Sequence, residues 1–313
     1  MTDDRQALAM SIDVEDWPQS SWDRSLPISD YSADNTRRML DLLGDFPAAR
    51  ATFFVLGKFA ERHPRVVAAI RHAGHEIGSH GYGHVEVFRL GRQAFSTDVA
   101  RSIEAIGAAA GVRPRGYRAP DFSIVGETLW ALGVLSEHGF EYDSSIFPIA
   151  KARYGIPTWP REPVRVRLQS GENIVELPLA TLAWAGKRLP VAGGGYARLM
   201  PGFVLRWALS KAHRQLSTPP VYYCHPYELD QDEFARLDLN LPLAVRLHQG
   251  LGRKHTAARL RRLLGAFDCL TLSDVVSRLP RLAEVDCTPY VLNPGGVHRP
   301  AAFDGDNVGR DAE

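Results

Sequence analysis

Cysteine is scarce in these 313 residues, and the three present, Cys224, Cys269 and Cys287, share no CxxC spacing. That excludes a disulfide framework and a cysteine-rich zinc site, and it leaves the first two as small buried hydrophobes. Net charge is scarce too. The 37 basic and 36 acidic side chains give +1, without the basic excess expected of a dedicated nucleic-acid binder. No apolar run approaches ~18 residues, so no transmembrane helix is expected. The first residues lack a basic stretch followed by a longer apolar run, which argues against a signal peptide and for a cytoplasmic protein. What the chain does have is globular apolar content, 45% hydrophobic against 23% charged, which excludes wholesale disorder. Its length suits one α/β barrel or two modest domains.

Short apolar runs alternate with helical patterns through the first half. Residues 7–13, 51–56, 75–79 and 116–118 read as strands, and 34–43, 64–73, 95–110 and 127–138 as helices. Ser96 is expected to cap the third helix with Asp98 in its first turn, and Gly74 and Gly139 to stop two others. The alternation predicts an α/β fold of parallel strands with crossover helices. From about residue 151, Pro157, Pro160, Pro163, Pro178 and Pro190 break the chain into short pieces. Residues 164–167 and 173–177, around Ser170-Gly171, read as a β-hairpin. Gly193, Gly194 and Gly195 demand a loop or a very tight backbone approach. A helix over 202–215, a buried strand over 220–225 and a closing helix, strand and helix over 255–267, 269–272 and 273–279 follow. Beyond 285 the composition is that of a loose tail.

Groups able to do chemistry collect where strands end. One apolar strand ends in Asp13, Glu15 and Asp16, three carboxylates within four positions whose mutual repulsion a bound cation would relieve. A solvated acidic loop is the alternative. His80 and His84 are four apart, so a helical turn would put both imidazoles on one face of one ion. Two histidines and a carboxylate leave coordination positions open, as catalytic metal sites do. His75 reads as a structural hydrogen-bonding residue, and His63 and His72 as surface residues. Arg118, Asp143 and His225 each end a further strand. Singly they read as a surface arginine, a helix-capping aspartate and a core histidine. Jointly they put polar groups at the carboxyl ends of five strands, where barrel active sites lie.

Taken in order, Asp13-Val-Glu-Asp-Trp17, Ala51-Thr-Phe-Phe54, Gly74-His-Glu-Ile-Gly-Ser-His80, Arg118-Ala-Pro120 and His225-Pro226 resemble the motifs of the polysaccharide deacetylases. These are the nodulation-factor and chitin deacetylase type, carbohydrate esterase family 4, and the resemblance covers roughly residues 7–230. Glu176-Leu-Pro-Leu179, Gly193-Gly-Gly-Tyr196 and the 259–264 region are similar to the exosortase-associated exopolysaccharide branch. The resemblance implies a distorted (β/α) barrel of about seven parallel strands, forming a catalytic domain over 1–285. A β-hairpin insertion lies at about 151–200, a C-terminal helical extension at about 230–285 and a loose tail at 286–313. The implied reaction is hydrolysis of N-acetyl groups on amino-sugar residues of a bacterial polysaccharide or its oligosaccharide precursor, releasing acetate. The implied cofactor is a divalent metal, zinc first, with iron, cobalt or nickel fitting the same ligands.

Carried over residue by residue, Asp13 would be the general base, held ionised and oriented by Arg118. His80 and His84 would be metal ligands, joined by Glu15 or Asp16; alternation along an extended strand favours Glu15. His225 would be the general acid, oriented by Asp143. Asp121, where relatives often carry tyrosine, would lend a backbone N–H. Trp17, Tyr82, Tyr117, Pro120 and Asp121 are the expected substrate contacts. Trp22 and Trp159 are further aromatics near the site, and packing is the competing reading for each aromatic. The expected partner is an N-acetylated glycan and not nucleic acid. The basic stretch 253–262, with Leu260, Leu263 and Leu264, reads as a core-packing helix with a solvated basic side, a peripheral membrane contact being the alternative. Two rival functions share the pattern. One is a metal-independent, allantoinase-like amide hydrolase, disfavoured by the intact His80 and His84; the other is an inactive glycan-binding relative.

Overall fold

A computed structural model describes residues 5–151, 153–168, 171–237, 239–279 and 282–287. The early apolar runs become strands β1 (Ala7–Val14), β2 (Thr52–Val55), β3 (Glu76–Ser79), β4 (Gly116–Tyr117) and β5 (Tyr142–Asp143), side by side and all parallel. β1 and β2 are buried almost throughout, which is why they read as continuous apolar runs rather than alternating ones. Helices α1 (Asp30–Gly44), α2 (Gly57–Arg62), α3 (Pro64–His72), α4 (Arg92–Ala110) and α5 (Trp130–Glu137) make the connections. α1 buries Ser32, Thr36, Met39 and Leu43, and α4 buries Phe95, Val99, Ser102, Ile106 and Ala110. Spacings of three and four turn one stripe of each helix inward.

Gly74 and Gly139 follow α3 and α5 at φ 79° and 74°, as helix stops. Ser96 does not cap α4, which starts earlier, at Arg92 behind Gly91. Its hydroxyl instead meets His138 Nε2 at 2.8 Å. α2 has six residues, too few for a periodicity to show in sequence.

β6 (Val164–Arg167) and β7 (Asn173–Glu176) form the expected antiparallel hairpin, but β7 also pairs in parallel with β5 and so joins the main row. β8 (Thr181–Trp184) and β9 (Lys187–Pro190) make a second hairpin. α6 (Gly194–Leu199) and α7 (Gly202–His213) lead to β10 (Val221–Cys224), which pairs with β1. The row β10-β1-β2-β3-β4-β5-β7 thus holds seven parallel strands among the described residues. Its two ends are tied by a parallel bridge from Leu179 to Val221, with Ala180 N–H donating to the Val221 carbonyl at 3.1 Å. The triple glycine is the expected tight approach. At Gly193 (φ 145°) a Cβ would stand 1.8 Å from the Tyr223 carbonyl oxygen.

α8 (Glu233–Arg236), α9 (Leu243–Gly250), α10 (Thr256–Ala266), β11 (Asp268–Leu270), α11 (Leu272–Ser277) and β12 (Ala283–Asp286) complete the chain. β11 pairs with the first residues of β1, and β12 lies parallel beside β6. Asp286, expected in the tail, is therefore strand; the rest of that tail from 288 lies outside the described residues. All three cysteines are free and buried.

Candidate active site

Because the seven strands run parallel, the residues that end them meet at one end of the row. β1 supplies Asp13 and, just past its end, Glu15; β3 leads into His80, β4 into Arg118 and β10 into His225. Glu15 Oε1 lies 3.0 Å from Nε2 of both His80 and His84 and 3.8 Å from His225 Nε2. His80 Nδ1 lies 2.7 Å from the Arg118 carbonyl, which can only accept. Nδ1 therefore carries a proton, and Nε2 is the ring atom turned to Glu15. Burial disfavours a charge on Glu15, yet His84 and His225, with hydrogen bonds from His80 and His84, hold its carboxyl well below the usual range. Burial likewise opposes charge on His84, and Glu15 outweighs it and raises that imidazole.

His80 and His84 converge through a loop, not the helical turn their spacing suggested. The chain leaves β3 and turns at Gly81 (φ 75°) and at His84 itself (φ 59°). A left-handed non-glycine residue persists only where its surroundings hold it. Here Asp98 accepts the Tyr82 N–H at 2.9 Å, Gln19 donates to the Gly83 carbonyl at 3.0 Å, and Arg24 Nε donates to the His84 carbonyl at 2.8 Å. Arg24 is in turn paired with the buried Glu86 at 2.6 Å. Asp98, expected in the first turn of a helix, is one turn further in and serves this loop.

Between the two candidate carboxylates, Glu15 faces the histidines and Asp16 does not. Asp16 accepts the Ser29 N–H and O–H, each at 2.7 Å, and so ties down the start of α1. Successive side chains leave an extended backbone on opposite sides, which separates the two.

Arg118 is fully buried over the Phe54 ring. Its Nη1 donates to Asp13 at 2.8 Å and Ser11 at 2.7 Å, its Nε to the Ser144 carbonyl at 2.9 Å and its Nη2 to the Ser144 hydroxyl at 2.9 Å. A planar guanidinium fastened at four points fixes the Asp13 carboxylate in one orientation.

Asp143, expected to orient His225, has other partners. It accepts Ser145 N–H at 3.0 Å and Ser145 O–H at 2.7 Å, and it faces Glu176. Burial, then repulsion from Asp143, pushes Glu176 well above the usual carboxyl range, and burial raises Asp143 as well. Two buried carboxyls in contact share one proton. The partner of His225 is Glu228, whose Oε1 is 2.8 Å from His225 Nδ1. Pro226 opens a short turn, Pro226–Leu229, that folds Glu228 back beneath the imidazole. Burial alone would lower His225, but Glu15, Glu228 and Asp13 outweigh it and push it up to about 9. Tyr227 stacks on the same ring, centroids 4.7 Å apart.

Most of the expected sugar contacts are framework. Trp17 and Tyr117 are each 1% exposed. Trp17 packs edge-on to Phe234, and Tyr117 against Phe95 and Phe140. Trp159 and Pro120 are buried as well, and half-buried Trp22 packs beside Trp17. Tyr82 donates to Glu61, and the Arg101 guanidinium covers its ring at 3.7 Å. Asp121 remains part-exposed at φ 53°, its carboxylate 2.8 Å from Arg153. A cavity of about 490 Å³ lies at the opposite, amino-terminal end of the strands, lined by Arg50, His75, Glu76 and Arg115 among others. There burial and Arg50 push His75 down to about 4, so it is neutral.

Residues 21–142 match a family model described as polysaccharide deacetylase, and residues 144–277 match one described as a domain of unknown function (DUF3473). Over residues 21–142 the chain is therefore similar to the polysaccharide deacetylase family. It is 33% identical over 97 residues to a peptidoglycan-N-acetylglucosamine deacetylase of Bacillus cereus and 35% identical over 98 residues to a peptidoglycan deacetylase of Helicobacter pylori. Each alignment covers 31% of this chain, and 35% and 32% of the respective relative. The chain thus spans about a third of the length of these curated relatives. A crystal structure of a Mycobacterium smegmatis protein assigned to the polysaccharide deacetylases shares the fold, with a TM-score of 0.58 at 23% identity over 90% of this chain and 95% of that one. His80, His84 and Arg118 fall in the first matched span, and Glu176, His225 and Glu228 in the second. β1, with Asp13 and Glu15, precedes both spans and lies between β2 of the first and β10 of the second, so the module of unknown function supplies the strand beside β1 that leads into His225.

Proposed function

We propose that the chain is a metal-dependent N-deacetylase that hydrolyses acetamide groups on amino-sugar residues of a polysaccharide or its oligosaccharide precursor and releases acetate. The observation that carries this reading is the convergence of Glu15, His80 and His84 on one buried point, with Asp13 and His225 alongside. The donor set fits a divalent cation: two imidazole nitrogens and a carboxylate oxygen lie within 4.8 Å of one another, and the Arg118 carbonyl fixes the His80 tautomer. Zinc suits these ligands first. When bound, such a cation would polarise the acetyl carbonyl and acidify a water.

The chain's own residues supply the proton transfers. Asp13, aimed by Arg118, takes the proton of the attacking water. Glu228 accepts the His225 Nδ1–H and favours the imidazolium, so Nε2 carries the proton it delivers to the departing amine. Without that proton the amine would leave as a poor anion. The backbone N–H of Asp121 supports the oxyanion. The two curated relatives, named for peptidoglycan deacetylation, support an N-acetylated glycan as the substrate class. Acetate release from N-acetylated oligosaccharides tests the reading. The native protein should release acetate, and Asp13→Asn and His225→Ala should each lose about 100-fold or more. Release that survives both substitutions would refute it.

A further inference from the structure

The balanced charge hides a strong asymmetry. Residues 177–227 and 239–267 hold 12 Lys and Arg and no Asp or Glu, which leaves 25 basic against 36 acidic side chains elsewhere. Eight of the nine large apolar side chains open to solvent among the described residues belong to the same two segments. Arg253 and Arg261 are paired from outside these segments, with Glu233 and Asp45, and Arg198 is buried; exposed Lys187, Arg206 and Arg246 and half-buried Lys211 share this part of the molecule with the large hydrophobics.

They lie on exposed stripes of neighbouring elements. On α7, Phe203, Trp207 and Lys211 follow at four-residue steps with Arg206 beside them, while Leu205, Ala208, Leu209 and Ala212 are buried on the other side. Trp184, from the β8–β9 hairpin, meets Trp207 at 5.5 Å, and Lys211 Nζ lies 3.6 Å from the Trp184 ring centre. α9 has no buried residue, and Leu243 and Leu247 stand 69% and 64% exposed on one stripe. Leu251, just past α9, and Leu199 of α6 are exposed as well. Gly252 is pressed so closely on the Arg198 carbonyl that a Cβ would stand 2.4 Å from it, and Arg198 donates to the His248 carbonyl at 3.3 Å.

Exposed large hydrophobics gathered in this number mark an interaction surface. A run of cations without a single acid selects an anionic partner. Tryptophan, phenylalanine and leucine interleaved with lysine and arginine match the headgroup level of a bilayer, where one end of each side chain is apolar and the other wet. We propose that the face built by α6, α7, α9 and the β8–β9 hairpin docks on an anionic lipid surface. Phe203, Trp207 and the α9 leucines enter the headgroup region, while Lys187, Arg206, Lys211 and Arg246 meet lipid phosphates. Among the described residues no helix is long and apolar enough to cross a membrane, so the contact is peripheral. Through Val245, α9 packs on the Trp17–Tyr227 cluster, and Tyr227 stacks on His225. Docking therefore holds the candidate active site beside the bilayer, within reach of glycans attached to lipid, a consequence that rests on the deacetylase reading although the docking does not.

Co-sedimentation with vesicles tests it, using phosphatidylcholine alone or two parts phosphatidylcholine to one part phosphatidylglycerol. The full chain should bind the anionic vesicles at least about tenfold better than the neutral ones, and binding should fall as salt is raised from about 0.1 M to about 0.5 M. Trp207→Glu with Leu247→Glu, and separately Arg206→Glu with Lys211→Glu, should each lose about tenfold in binding. Both should keep the native Tm and acetate release from a soluble oligosaccharide. No binding to either vesicle, or equal binding to both, overturns the proposal. So does a native dimer that these substitutions convert to monomer without vesicle binding, which would assign the face to a second copy of the chain. Acetate release without vesicle binding would overturn docking while leaving the deacetylase reading intact.

Discussion

Glu228→Gln is the substitution whose consequences can be worked out furthest. The amide oxygen of glutamine can still accept the His225 Nδ1–H, so the geometry survives and only the charge is lost. His225 is raised from an ordinary value near 6.5 to about 9, and ~1.4 kcal/mol per pH unit makes that about 3 kcal/mol of preference for imidazolium. Glu15 is the first contributor, followed by Glu228. A divalent cation on Glu15 would cancel the first and leave Glu228 as the main group holding the proton. A raised histidine contributes stability that is complete below about pH 6.5 and lost as pH rises through about 9. Glu228→Gln should therefore cost about 1–2 kcal/mol in urea unfolding at mildly acid pH and little above pH 9. In acetate-release assays the alkaline limb of kcat should move down by about one pH unit or more, with a loss of about tenfold near pH 8. An alkaline limb that stays put in Glu228→Gln and moves in Asp143→Asn would refute the reasoning, because Asp143 would then be the residue that governs His225.

Five other substitutions probe the remaining parts. Glu15→Gln and His84→Ala should strip tightly held metal from the purified protein, whereas Asp16→Asn should retain it and lose about 1–2 kcal/mol from the broken Ser29 anchor; elemental analysis and urea unfolding read the two effects. Arg118→Met leaves the buried Asp13 without its cation and should cost about 3–5 kcal/mol of stability together with activity. Glu176 is raised in the fold, so its ionisation opposes folding increasingly as pH rises. Glu176→Gln should accordingly be at least as stable as the native chain at pH 8, with the difference shrinking in acid, as urea titrations at several pH values would show.

Strands buried on both faces announce themselves as apolar runs, so β1, β2 and β10 were legible in the sequence, as was the clustering of polar groups at their ends. β4 was read from its short apolar run at 116–118, whereas two-residue β5 carries no periodicity and was found only through the motif around Asp143. The spacing of His80 and His84 revealed a pair but not its geometry, because the left-handed turns at Gly81 and His84 depend on Asp98, Gln19 and Arg24 reaching in from elsewhere. Glu228 was hidden because a partner three residues away matters only once Pro226 has started a turn. Trp17 and Tyr117 misled for a related reason: an aromatic beside a motif does not reveal which side of the backbone it leaves, and both leave toward the core. β12 went unseen because it exists only by pairing with a strand more than a hundred residues earlier.

The account turns on whether Glu15, His80 and His84 hold the cation that deacetylation needs. The most direct measurement is acetate release from N-acetylglucosamine oligosaccharides by protein stripped with a chelator and titrated back with zinc. Activity should vanish on stripping and return in proportion to zinc until one ion is bound per chain, with no return in His84→Ala. Undiminished acetate release by the stripped protein would contradict the account.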